Sequence, residues 1–250
     1  MPLLETIGSS SALGYGFTGS KISATSLGLA YTSGLILYLD GKVYDSGSTS
    51  WRDISGQENN FTLSGSLSYS SSTASFSGFS SQNHWKNSNS VFRNLKQAQG
   101  GNGFTAFVVS QAGTPDNVST GWQPMLSLGD GNNYIDSWAS AAAPHTFICE
   151  DGAQTNNYMY QNNNLIANNT VDMRTKSVWT WGVLNEGGTT FTNPVNPDLL
   201  IGADPTTVAS GSSNPYFWRG TINAVLIYNT VLSSTNRATV VSFLRSRYGI

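Results

Sequence analysis

From residue 34 to residue 228, apolar side chains fall into short runs punctuated by Gly, Asn and Ser. The first run, Gly34-Leu-Ile-Leu-Tyr-Leu-Asp40, fits a buried strand. Similar runs predict strands at 75–79, 104–110, 125–128, 146–149, 157–160, 178–184, 199–202 and 221–228. Turn chemistry separates them, as in Gly129-Asp-Gly-Asn-Asn133 and Glu186-Gly-Gly188. This spacing predicts an all-β fold, two antiparallel sheets packed as a jelly-roll sandwich. No fixed period marks a propeller or a solenoid.

Both ends depart from the pattern. After the strand at 221–228, Ser233 or Ser234 is placed to cap a helix reaching Tyr248, with Val240, Val241, Phe243 and Leu244 as its apolar face. Arg245 and Arg247 complement the dipole of its last turn, and Gly249 ends it. Such a helix is expected to cover an open edge or end of a sheet. Residues 1–32 scatter Leu3, Leu4, Ile7, Tyr15 and Phe17 among Gly and Ser with no sustained period. Two readings fit: an extended arm anchored on a neighbouring subunit by those side chains, or a frayed terminus. The expected organisation is an arm, 1–32, and a sandwich domain, 33–250.

Composition narrows the function classes. Only 10% of the residues are charged and the net charge is −2, so no basic stripe marks a nucleic-acid partner. Aromatic residues at 12% supply enough buried surface to rule against disorder. No run approaches the ~20 apolar residues of a membrane span, and the first residues lack the basic and apolar regions of a signal peptide. Synthesis in a cytoplasm without membrane insertion is the expectation. The single cysteine, Cys149, permits no intrachain disulfide and reads as a buried strand residue.

Three stretches carry a resemblance. They are GLILYLDGKVYDSGSTSWRDISGQENNFTLSGS at 34–66, ASFSG at 74–78, and LLIGAD at 199–204 with FWRGTINAVLIYNTVLSSTNRATVVSFLRSRYG at 217–249. Together they resemble the laminin-G-like or concanavalin A-like lectin/glucanase sandwich. Between about residues 80 and 195 the likeness is loose, and that family's Tyr-Val-Asn-Gly hairpin has no evident match. The arm TIGSSSALGYGF at 6–17, ahead of such a sandwich, also resembles structural proteins of tailed bacteriophages. That resemblance implies a non-enzymatic virion protein, a capsid decoration or tail component, homo-oligomeric and docked on other virion proteins through arm and loops. The alternative is a carbohydrate-binding or host-receptor-binding module.

The chemistry-bearing residues agree with a protein that is not an enzyme. Family glucanases place paired glutamates on one strand, whereas Glu5, Glu58, Glu150 and Glu186 stand apart here. Glu150 and Asp151 are adjacent and would point to opposite faces of a strand. His84 and His145 lie outside any Gly-x-Ser-x-Gly context and read as surface or strand-end residues. No cofactor is implied, with calcium as the one candidate ion. Asp130, Asn132 and Asn133 offer it oxygen ligands, as do Asp40, Asp45 and Asp53, although Asp-Gly-Asn is also an ordinary turn. Asp53 reads as a turn carboxylate bonded to its own backbone, with Trp51 and Ile54 buried. Trp85, Trp122, Trp138 and Trp218 lie in or beside polar stretches. Each either stacks on a glycan or plugs the rim of the core.

Overall fold

The structure, a computed structural model, describes residues 22–89, 91–92, 103–113, 122–130, 133–140, 145–150, 157–166, 170–183, 198–204, 208 and 216–250. Its strands form two sheets. In spatial order the first contains Asn164–Leu165 (β12), Asn157–Gln161 (β11), Ser177–Val183 (β14), Phe104–Ala112 (β7), Gly220–Tyr228 (β16), Ser75–Ser77 (β5) and Ser68–Ser70 (β4). Leu35–Asp40 (β1) pairs with the second half of β16. The other sheet runs Thr170–Val171 (β13), His145–Glu150 (β10), Asn133–Ser140 (β9), Trp122–Asp130 (β8), Leu199–Ile201 (β15), His84–Asn87 (β6), Phe61–Ser64 (β3) and Ser50–Trp51 (β2). All the pairings between these strands are antiparallel, so the expected sandwich is the fold. No helix among the described residues is long and apolar enough to cross a membrane.

The two sheets bury one core between them. Leu37, Leu39, Val108, Trp179, Trp181, Val225 and Ile227 project into it from the first sheet, against Phe61, Trp85, Met125, Leu199 and Ile201 from the second. Alternate residues of the first sheet, among them Tyr38, Phe107, Val109, Val178, Leu226 and Tyr228, form a separate cluster on its outer face. Burial on both faces explains why β1, β7 and β16 are almost continuously apolar rather than alternating.

A single long helix, Ser234–Tyr248 (α1), covers that outer face. It therefore lies on the sheet and not over an edge or end, because the outer cluster is too apolar to face water. Arg237, Val240, Val241, Leu244 and Tyr248 recur every three or four residues and form its buried stripe. The Ser233 hydroxyl accepts from Asn236 N–H at the start, and Gly249, at φ 67°, closes the end in the left-handed conformation.

The helix is clamped at both ends. Near its start the Arg237 guanidinium lies 3.8 Å from the Tyr160 ring centroid, and its Nε donates to Asn163 Oδ1 at 3.0 Å. Near its end Arg247 Nε donates to Asp40 Oδ2, and the Tyr248 hydroxyl donates to Asp40 Oδ1 at 2.7 Å. The Tyr38 hydroxyl and Lys42 N–H complete the shell around this carboxylate, at 2.6 and 2.8 Å. Burial, together with the Asp40 charge, pushes both phenols well above their ordinary pKa, so they remain donors.

One expectation about organisation needs correction. Residues 22–32 are not part of a free arm. Ala24 and Leu29 are buried in the outer cluster, Leu27 and Tyr31 pack against it, and the Tyr228 hydroxyl donates to Tyr31 O at 2.8 Å. The segment is a turn rather than a strand, with Leu29 N–H bonded to Ala24 O. Its anchors consequently follow neither period. Leu3, Leu4, Ile7, Tyr15 and Phe17 lie outside the described residues. A tight hairpin joins β11 and β12, and its turn residues Asn162 and Asn163 have φ of 50° and 68°. Asn-Asn here takes the left-handed pair of a type I′ turn that Asn-Gly more often supplies.

Candidate functional site

Where β16 begins, just beyond the Asp40 clamp, the outer face of the first sheet is open. Register places the site. Thr221 pairs with Gln111, and one residue along from the Ile222–Phe76 pair Thr221 comes beside Ser77. Phe76, Ile222 and Ala112 point into the inner core, so Ser77, Thr221 and Gln111 stand together on the outer face, all half-buried. An extra residue in β16 lies between the covered and the open parts of this face. The register shifts between Ile222 and Ala224, and Asn223 turns its amide to Thr73 O and Ala74 O at 2.7 and 3.1 Å. Beyond that bulge, Ala224 lies in the α1-covered cluster, while Thr221 before it is open.

Two adjoining hollows flank the row. One, of about 490 Å³, is lined by 77–79 and 217–221; the other, of about 400 Å³, by 111–113, Arg174, Gly220 and Thr221. Gly220 belongs to both. Its α-carbon lies so close to β7 that a β-carbon would stand 2.2 Å from Gln111 O, so glycine is required there. In the first hollow the Arg219 guanidinium carbon sits 5.0 Å from the centroid of the half-buried Phe217 ring. Its main chain is pinned twice: Arg219 N–H donates to Gln123 Oε1 at 3.1 Å, and Arg219 O accepts from Gly113 N–H at 2.7 Å. Trp218, fully buried, anchors the same segment through its N–H to Gly202 O at 2.9 Å.

In the second hollow Arg174 is held by a bidentate pair, Nε to Asp172 Oδ1 at 2.8 Å and Nη2 to Asp172 Oδ2 at 2.6 Å. That carboxylate raises the Arg174 pKa. Gln111 Nε2 donates to Arg174 O at 2.7 Å and Ala112 N–H to Met173 O at 2.8 Å, so the tail of β7 ties both hollows together. The result is an aromatic ring, two guanidinium groups and a row of hydroxyl and amide groups on a rigid sheet end. Such a surface stacks on an apolar ring face and hydrogen-bonds the hydroxyls around it.

The residues singled out from the sequence do not gather here. Trp85 is a correction: it lies on β6, fully buried, with ring centroids of Trp51, Phe76 and Tyr44 at 5.7, 5.3 and 5.8 Å. No face is left for a sugar. Trp218 likewise belongs to the core. His84 is a strand-end residue, the first of β6, but not a surface one: it is 2% exposed, and burial lowers its pKa. Trp122 and Trp138 belong to β8 and β9, Cys149 to β10, and their side chains lie outside what is described.

Asp130 and Asn133 face each other across the β8–β9 connection, in keeping with the turn reading; Asn132 lies outside the described residues. Two of the three first-loop carboxylates, Asp40 and Asp53, are otherwise engaged. Asp40 pairs with Arg247, and Asp53 accepts from Tyr38 N–H and Ser55 N–H, each at 2.9 Å. No cluster of three His, Cys, Asp or Glu that could hold a metal ion occurs among the described residues. The Asp53 expectation is met in its local half, and Trp51 and Ile54 are buried. Sequence reasoning missed the groove residues, although Phe217-Trp-Arg-Gly-Thr221 opens the last of the stretches that carry the resemblance.

No protein-family model matches the chain, and no curated protein does. Solved structures do. A sialidase of Trypanosoma rangeli in complex with the inhibitor DANA is similar over 84% of this chain, at 14% identity and a TM-score of 0.50. A mutant of that sialidase displaying trans-sialidase activity is similar over 87%, at 16% identity and the same score. Domain 4 of AbnA, a GH43 extracellular arabinanase from Geobacillus stearothermophilus, in complex with arabinotriose, shares 13% identity over 84% of this chain and 98% of its own, with a TM-score of 0.47. This chain covers 33–34% of the two sialidase chains. At these identities the likeness is one of fold: an all-β sandwich.

Proposed function

We propose that this chain is a non-catalytic saccharide-recognition module, binding at the end of its first sheet. The observation that carries the reading is the row Ser77, Thr221 and Gln111 beside the Phe217 ring, on rigid strands and open to solvent. The half-buried Phe217 ring with Arg219 over it, and hydrogen bonds from the row, suit a sugar, which presents an apolar face ringed by hydroxyls. Among the described residues none that lines the two hollows is a carboxylate, which supports binding rather than hydrolysis. The virion role implied by the sequence rests on Leu3, Leu4, Ile7, Tyr15 and Phe17, outside the described residues, so the open groove is the better-supported docking surface. A glycan array probed with the purified chain should give hits that Phe217→Ala removes at a temperature where circular dichroism shows the variant still folded. A blank array, or hits indifferent to Phe217→Ala, would reject the reading.

A further inference from the structure

The groove carries more charge information than recognition of a neutral sugar requires. Arg174 is matched by Asp172, with both side chains about half exposed, so that pair presents little net charge. Arg219 differs. Its guanidinium lies over Phe217, and no carboxylate faces it among the described residues. Its own main chain is fixed through Gln123 and Gly113, and its guanidinium carbon rests 5.0 Å from the ring centroid. A guanidinium with no carboxylate partner among the described residues can grip a carboxylate through two parallel N–H bonds. The chain as a whole is weakly acidic, at −2, so general attraction of anions does not account for such a placement.

We infer that the groove selects saccharides bearing a carboxylate, uronic or sialic acids as a class, with Arg219 as the acid-binding residue. This rests on the recognition reading above and adds the chemical class. The carboxylate takes the fork of Arg219, while the ring hydroxyls fall to Ser77, Thr221 and Gln111, on the adjacent strands β5, β16 and β7. Neighbouring strands stand about 4.8 Å apart, so the row spans roughly 10 Å. That is room for the acid sugar and the residue linked to it.

The test uses matched ligands. Trigalacturonate, a hyaluronan tetrasaccharide and sialyllactose are titrated calorimetrically at low salt, each beside its methyl ester, which keeps shape and loses charge. At least one acid should bind about tenfold or more tightly than its ester. Arg219→Gln should bring the acid down to the ester's affinity. Arg219→Lys, which keeps the charge and loses the fork, should retain only part of the preference. Raising the salt should erode acid binding and leave ester binding alone, a readout that needs no variant. Equal binding of acid and ester, abolished by Phe217→Ala, would overturn the acid inference and leave the recognition reading standing. Binding of no acid, no ester and no neutral glycan would overturn both.

Discussion

Replacing Asp40 by alanine should unfold this sandwich many degrees earlier, and the structure says how many. The Asp40 side chain has no exposed surface, and Arg247 beside it is 17% exposed. The carboxylate accepts from Tyr38, Tyr248, Arg247 and Lys42 N–H, so it joins the end of β1 to the last turn of α1. Removing it leaves a nearly buried guanidinium facing two phenols that cannot neutralise it. Breaking a buried pair from one side costs about 3–5 kcal/mol. Four charge-assisted bonds taken singly at ~1.5–3 kcal/mol would sum to more, but they share one carboxylate and are not additive. For a domain of this length 1 kcal/mol moves the midpoint by about 2–4 °C, so Asp40→Ala should lower it by about 6–20 °C. The assay is thermal and urea melting by circular dichroism, with Arg247→Met and the double variant completing a cycle. A coupling energy of at least ~1 kcal/mol is expected between the two positions. If Asp40→Ala melted within ~2 °C of the parent, the clamp would hold nothing and α1 would rest on its apolar stripe alone.

Other expectations are separable. Leu29→Ala should cost about 2–5 kcal/mol in urea melts, as should Leu244→Ala, since both residues are buried in the outer cluster; a free arm would make Leu29→Ala silent. Deleting residues 2–32 should accordingly destabilise the sandwich, measured as an earlier melt, because Ala24, Leu29 and Tyr31 leave with it. His84 gives a pH dependence whose sign is fixed. Burial lowers its folded pKa below the unfolded value of 6.5, so the unfolded chain binds the proton first and stability falls as pH drops below about 6.5. The melting temperature of His84→Gln should decline less between pH 7 and pH 5 than that of the parent, and parallel declines would count against a buried neutral imidazole.

The fold was legible where burial dictated residue type. Strands buried on both faces announce themselves as unbroken apolar runs, and β1, β7 and β16 were each found that way. The helix was legible because its cap, stripe and terminal glycine are local signals. Short strands without an apolar run were not. His84-Trp-Lys-Asn87 reads as a polar loop, yet β6 is pinned on one side by Thr62, Leu63 and Ser64 and on the other by 199–201. Pairing partners over a hundred residues away decide that assignment, and no local period records them. Trp85 was misassigned for the same reason: its polar neighbours pointed to a rim, while the register turns its ring into the core.

The groove was illegible for a related but distinct reason. Ser77, Gln111, Arg174, Phe217, Arg219 and Thr221 come from four separate stretches, and each is unremarkable in its own. What brings them together is the pairing of β16 with β5 and β7, the hydrogen bonds from Gln111 and Ala112 to 173–174, and the bulge at Asn223. That bulge adds one residue to the strand, and alternation on β16 restarts beyond it. A strict alternation carried back from Tyr228 would turn Ile222 outward and Thr221 inward. The extra residue restores Thr221 to the face shared with Gln111, while Asn223 spends its amide on the 73–74 turn and its carbonyl faces the Tyr248 hydroxyl at 3.1 Å. One irregularity thus joins the helix clamp to the groove. It lets a single strand serve a sealed face at one end and an open, polar one at the other.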